Sequence, residues 1–130
     1  MKAKILYIED NTQNFYLVNF ILTAAGCEVL WARDGPEGVE KAARGWADLI
    51  LLDIQLPAMD GYAVAQALRG NPALARTPIV ALTSYAMAGD REKALAAGCT
   101  GYIEKPINPG TFAAQVEQHL LAAQEKREPS

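Results

Sequence analysis

Cysteine and histidine are scarce here: the sequence holds two cysteines, Cys27 and Cys99, and one histidine, His119. Neither cysteine has a CxxC or Cys/His spacing, which argues against a zinc site, and a reducing compartment needs no disulfide. Each cysteine reads as a small buried apolar residue. His119 stands alone near the C-terminus and reads as a surface residue rather than a catalytic one. No apolar run approaches the roughly 20 residues of a membrane span, and the N-terminus lacks the features of a signal peptide. A cytoplasmic chain with no membrane partner is expected. Lys and Arg form no cluster and the formal net charge is −3, which argues against direct nucleic-acid binding, because that rests on neutralised phosphates. Repeats, low-complexity tracts and linkers are lacking as well.

What is present is a globular composition. Of 130 residues, 51% are hydrophobic and 21% charged, which excludes a disordered chain and leaves room for one core and one domain. Ala3–Ile8 reads as a strand running straight into Glu9 and Asp10. A helix capped by Asp10 or Asn11 follows to Ala25, with Leu17, Ile21 and Ala24 at helical spacing and Gly26 as its stop. Phe15, Tyr16 and Phe20 on this helix read either as core or as an exposed docking patch, with at least one of them inside. Glu28–Ala32 is a short strand, and Asp34 caps a second helix whose inner face carries Val39, Ala42, Ala43 and Trp46. Leu49–Leu52 is an unbroken apolar run, as a strand covered on both faces requires, and it stops on Asp53. After a loop over Pro57–Gly61, Asp60 caps a third helix with Val64, Ala67 and Leu68 inward. Thr77–Thr83 is a fourth strand ending on the hydroxyls of Thr83 and Ser84. A fourth helix is expected from about Met87 to Ala97, then a strand from near Thr100 to Glu104. A last helix begins at Asn108 and Pro109, with Phe112, Val116 and Leu120 along one face. Residues 1–123 should form the domain and 124–130 a frayed tail.

Strand and helix alternate five times, which selects an α/β/α sandwich on a parallel sheet with right-handed crossovers. All strands then present their carboxyl ends on one edge, where open α/β sheets bind ligands. Asp53 alone reads equally well as a strand terminator. Lys105 alone reads as a loop lysine, Thr83 as a β-branched strand residue and Tyr102 as a half-buried strand aromatic. Each of these readings explains one residue, and none explains why Glu9, Asp10, Asp53, Thr83 and Lys105 reach the same edge. Three close carboxylates repel one another unless a proton or a divalent cation intervenes. Magnesium suits such an open oxygen cluster, with manganese as a substitute. A carboxylate can attack phosphorus if the phosphoryl oxygens are neutralised. Asp53 is then the central nucleophile, Glu9 and Asp10 are metal ligands, and Lys105 and the Thr83 hydroxyl bind phosphoryl oxygens.

These residues resemble the receiver domain of two-component response regulators from about Lys4 to Leu121. The resemblance lies in the acidic pair of YIEDN, in LILLDIQLPAMDG, in the hydroxyl of VALTS, and in GYIEKP with Lys105 and Pro106. The wording is most similar to single-domain DivK-type regulators and to receivers of hybrid histidine kinases. Glu9 stands where many members have Asp, so its reach to the metal differs and can run through water. The resemblance implies a flavodoxin-like fold with strand order 2-1-3-4-5 and five helices, an order that the spacing does not supply. It also implies phosphorylation of Asp53 by the phosphohistidine of a sensor histidine kinase or histidine phosphotransferase. The Gln55 main-chain carbonyl is implied as a further metal ligand, and Lys105–Pro106 as a cis bond that aims the lysine. Thr83 and Tyr102 are implied to report the phosphoryl group to an effector-binding face.

The expected protein is a switch with slow autodephosphorylation, not a turnover enzyme, and a monomer when unphosphorylated. Met1 directly before the first strand is expected of a complete protein, against the alternative of a receiver excised from a hybrid kinase or longer regulator. A phosphatase with an aspartyl nucleophile would want a second Asp where Gln55 stands. A flavin phosphate would be repelled by Glu9 and Asp10, and a phosphohistidine carrier through His119 would want a helical bundle. By the resemblance, Gln55 and Tyr85 flank the path of attacking water, and the bulk of Tyr85 should slow hydrolysis. The aspartyl phosphate of a Tyr85→Ala variant should therefore decay faster than the parent's; an unchanged decay rate in a phosphate-release assay would remove that role.

Overall fold

In the computed structural model, which describes residues 1–56, 60–84 and 89–127, strand and helix alternate as the spacing predicts. β1 (Lys4–Ile8), β2 (Glu28–Ala32), β3 (Leu49–Asp53), β4 (Ile79–Thr83) and β5 (Gly101–Glu104) are separated by α1 (Thr12–Ala24), α2 (Gly35–Ala42), α3 (Gly61–Arg69) and α4 (Asp90–Ala96), and α5 (Phe112–Arg127) closes the chain. All strand pairs are parallel, in the order β2-β1-β3-β4-β5. This is the flavodoxin-like sandwich with five helices. Every residue of β3 and β4 is buried, which is why LILLD and IVALT show no polar alternation.

Successive side chains of a strand point to opposite faces, and this divides the core in two. Ile5, Tyr7, Leu49, Leu51, Val80 and Leu82 pack with Val18 and Leu22 of α1 and Phe112 and Val116 of α5. On the other face Leu6, Ile8, Ile50, Leu52, Ile79 and Ala81 pack with Val64 and Leu68 of α3 and Ala94 of α4. Local chemistry starts the helices: Asn11, Asp34 and Asp60 each accept from a main-chain N–H of the first turn, at 2.9, 2.8 and 3.0 Å. Cys27 and Cys99 are free and buried, as expected, and burial pushes both thiols up, Cys99 to about 11.

Several helix faces differ from expectation. In α1 the buried residues are Phe15, Val18, Ile21 and Leu22, while Leu17 and Ala24 are exposed. Apolar residues surround this helix on most sides, so of the spaced set only Ile21 faces the core. Tyr16 and Phe20 are 62% and 75% exposed, which leaves Phe15 as the aromatic inside. α2 ends at Ala42, putting an exposed Ala43 and a half-buried Trp46 beyond it, and in α3 Ala65 rather than Ala67 faces inward. Asn108 caps a turn instead of α5: its side chain accepts from Gly110 N at 2.8 Å, and regular helix begins at Phe112. The expected start of α4 at Met87, most of the Pro57–Gly61 loop and the end of the tail lie outside the described residues. His119 is half-buried, not a surface residue, because its ring occupies the space that a side chain at Gly101 would fill.

Arg69, at the end of α3, ties the α3–β4 and α4–β5 connections together. Its guanidinium donates to Gly98 O at 2.9 and 3.0 Å, Leu74 O at 2.6 Å and Thr77 O at 3.1 Å. Gly98, at φ 109°, turns the chain from α4 toward β5. Burial lowers the pKa of this arginine, yet the group stays charged, and removing it strands several part-buried carbonyls. Arg69→Ala should cost about 2–4 kcal/mol of stability. A urea midpoint within error of the parent's would show that the carbonyls find other partners.

Candidate functional site

The carboxyl edge of the sheet gathers the charged residues. Glu9 follows β1 directly and still pairs with the sheet, its N–H donating to Ala32 O at 2.9 Å. Its carboxylate is 1% exposed as a residue, and Asp53, the last residue of β3, is 3% exposed. Asp10, next in the chain, is exposed. One carboxylate oxygen from each of Glu9, Asp10 and Asp53 lies within 4.8 Å of the others. Lys105 arrives just past β5, its main-chain N–H donating to Thr83 O at 2.8 Å, and the Lys105–Pro106 bond is cis.

Two donors meet the same oxygen of Asp53: Nζ of Lys105 and the main-chain N–H of Gln55 each lie 2.9 Å from Oδ1. The Lys105–Asp53 pair is well buried, with side chains 19% and 4% exposed. The Gln55 side-chain oxygen accepts from Ser84 Oγ at 2.6 Å, closing the mouths of β3 and β4 against each other. Burial, and after it the charge of Asp53, pushes the Glu9 carboxyl up to about 7, against the Asn11 N–H and Tyr7 hydroxyl that pull it down.

Of the expected site residues, Glu9, Asp10, Asp53 and Lys105 are brought together. Thr83 is buried on the next strand. Tyr102 stands back from the cluster, paired in register with Ala81, half-buried against the α3/α4 core, with the Arg91 guanidinium 5.8 Å from its ring centre. Alternation along β4 gives Thr83 the parity of Ala81, so Thr83 and Tyr102 share that face. Glu9 and Asp53 continue the parity of Tyr7 and Leu51, on the α1/α5 face. Tyr85 lies outside the described residues.

Tyr7 and Trp31 were not among the expected residues, though both touch Glu9. The Tyr7 hydroxyl donates to Oε2 at 2.9 Å and the Trp31 indole N–H to the main-chain carbonyl at 2.7 Å. The signal for Tyr7 was available: a hydroxyl inside an apolar strand needs a polar partner, and Glu9 lies two residues on along the same face. Trp31 offers no such signal, because its contact depends on the pairing of β1 with β2.

Residues 5–117 match the family model for the response regulator receiver domain. The chain belongs to that family. The receiver is 36% identical to the polar-differentiation response regulator DivK of Brucella ovis over 120 residues, 92% of this chain and 98% of that protein. It superimposes on the chemotaxis response regulator CheY4 of Vibrio cholerae with a TM-score of 0.86, 32% identity and coverage of 92% and 99%. A receiver domain of a sensor histidine kinase from Pseudomonas aeruginosa, solved with magnesium coordinated in its active-site cleft, matches with a TM-score of 0.83, 34% identity and coverage of 92% and 98%. The receiver is thus a module of two-component signalling, a family that works with histidine kinases and effectors. Among its described residues no helix is long and apolar enough to cross a membrane.

Because the folded state raises the Glu9 pKa from 4.5 to about 7, it binds more protons than the unfolded state between those values. The receiver's stability should be full below about pH 4.5 for this group and be lost as pH rises through 7. In chelator, Glu9→Gln should therefore raise the melting temperature relative to the parent by a few degrees at pH 8 and by less at pH 5. Parallel pH profiles for the two proteins would contradict it.

Proposed function

We propose that this receiver accepts a phosphoryl group onto Asp53 from a phosphohistidine and in that state changes its effector-binding face. The observation that carries the reading is the buried Asp53 carboxylate with Lys105 and Gln55 on one oxygen and two further carboxylates beside it. Three carboxylates against one ammonium, all hard oxygen donors, fit a divalent cation such as magnesium. Asp10 and Asp53, the Gln55 main-chain carbonyl and Glu9, directly or through water, would hold it. Bound there, it would supply neutralisation of the incoming phosphoryl charge.

With Oδ1 held by Lys105 and Gln55, Oδ2 is the oxygen proposed to attack. The O–P bond forms as the donor's N–P bond breaks, its electron pair leaving with the imidazole. The Lys105 ammonium, already 2.9 Å away, is placed to follow the charge onto a phosphoryl oxygen. The Thr83 hydroxyl, one strand over, is the candidate donor to another. Tyr102 shares the face of Thr83, so movement of one is felt where the other packs, and the surface of α4 and β5 is the proposed reporter. The protein is then a phosphoacceptor that loses its phosphoryl group slowly, rather than a turnover enzyme, and it works in the cytoplasm. A second reading, a receiver module within a hybrid histidine kinase, is supported by the likeness to the Pseudomonas receiver and uses the same chemistry.

Incubation with magnesium and acetyl phosphate should add the mass of one phosphoryl group to the parent and none to Asp53→Ala. No gain in the parent, or an equal gain in the variant, would sink the reading.

A further inference from the structure

The residues around Glu9 form a closed aromatic bracket. Trp31 of β2 pairs in register with Tyr7 of β1, and Phe15 of α1 lies over both. Its ring is stacked on Trp31 at 4.1 Å with an 8° tilt and on Tyr7 at 6.3 Å with a 22° tilt. The guanidinium of Arg33 lies 4.4 Å from the Trp31 ring centre. Both ends of the stack terminate on one residue: the indole N–H holds the Glu9 carbonyl at 2.7 Å and the Tyr7 hydroxyl holds its carboxylate at 2.9 Å. The remaining oxygen, Oε1, accepts from Asn11 N at 3.1 Å and the Glu9 N–H from the sheet is used as well. Trp31 is itself fixed, its carbonyl accepting from Lys41 Nζ at 2.6 Å.

We infer that Trp31 is a positioning residue for the cation site: through the Glu9 carbonyl and the stack on Phe15 and Tyr7 it sets where the Glu9–Asp10 segment presents its carboxylates. The inference rests on the cation site proposed above. A carbonyl that anchors a ligand-bearing loop acts on metal affinity as an outer-shell hydrogen bond does. Glutamate has one more methylene than aspartate and correspondingly more freedom, and fixing both its main chain and its head group removes that freedom before binding. Because the indole is bonded to the loop that carries the ligands, its emission should follow cation occupancy.

The test uses the whole chain carrying Trp46→Phe, which leaves Trp31 as the only tryptophan. Magnesium titration should shift the Trp31 emission, and calorimetry on the same protein should give the same midpoint. Trp31→Phe keeps a ring on Phe15 and removes the one donor; it should weaken magnesium roughly fivefold, the worth of one hydrogen bond. Tyr7→Phe, which removes the donor at the other end of the bracket, should weaken it similarly; if Trp31→Phe does not fold, the emission titration of the Trp46→Phe protein decides the matter. Loss of affinity in variants that remain folded at the titration temperature supports positioning. Affinities within about twofold of the parent, or a Trp31 emission that ignores magnesium, overturn it. A parent that binds no magnesium by calorimetry overturns the cation site itself, and this inference with it, which separates the two failures.

Discussion

Mutual repulsion among three carboxylates is the constraint on which the rest of this molecule is built. Glu9, Asp10 and Asp53 keep oxygens within 4.8 Å of each other, and two of them are nearly shut off from water. Such an arrangement survives only because it is placed where the fold can offset it. The strands that carry the acids, β1 and β3, are both interior, so their backbones are fixed by pairing on both sides. Four donors are committed to them: Lys105 and Gln55 to Asp53, Tyr7 and Asn11 to Glu9. Burial, and after it the charge of Asp53, still holds the Glu9 carboxyl above the ordinary carboxylate range. On the proposed reading, that unbalanced charge is what a bound cation would neutralise.

The strands and the site were legible in the sequence for the same reason. A strand covered on both faces must be apolar throughout, so LILLD and IVALT announce themselves, and the abrupt polar residue at the end of each falls on the ligand-binding edge by topology alone. The helix faces were less legible. α1 carries Tyr16, Leu17 and Phe20 outside as well as Phe15, Val18 and Leu22 inside, and a periodicity argument cannot choose between two apolar faces. His119 was misjudged because the room for its ring is made by Gly101, on another element. The strand order came from the resemblance, since alternation permits several orders.

The two faces of the sheet divide the work on the proposed reading. Alternation puts Glu9 and Asp53 on the side of α1 and α5, and Thr83 and Tyr102 on the side of α4, although all of these strands end at one edge. The Asp53 carboxylate and the Tyr102 ring therefore lie on opposite sides of the sheet, and on that reading Thr83 would meet the phosphoryl group at the shared edge from the Tyr102 side. The main chain supplies a further bridge at the edge: Lys105, which pairs with Asp53 through its side chain, is bonded through its N–H to the carbonyl of Thr83. A change in the charge that Lys105 faces acts on β5 and β4 together.

Trp31 matters to this division because it lies at the opposite end of the edge from that bridge. Cation binding and reporting draw on different anchors: the first on β2 and the aromatic stack over β1, the second on β4, β5 and α4. The anchors share no residue apart from the carboxylate cluster between them. An alteration in the stack should then change how tightly the cation is held without altering how Thr83 and Tyr102 respond once Asp53 is modified. Affinity and output are separable in this geometry, which allows one to be tuned by substitutions in β2 and α1 while the other is left as it was.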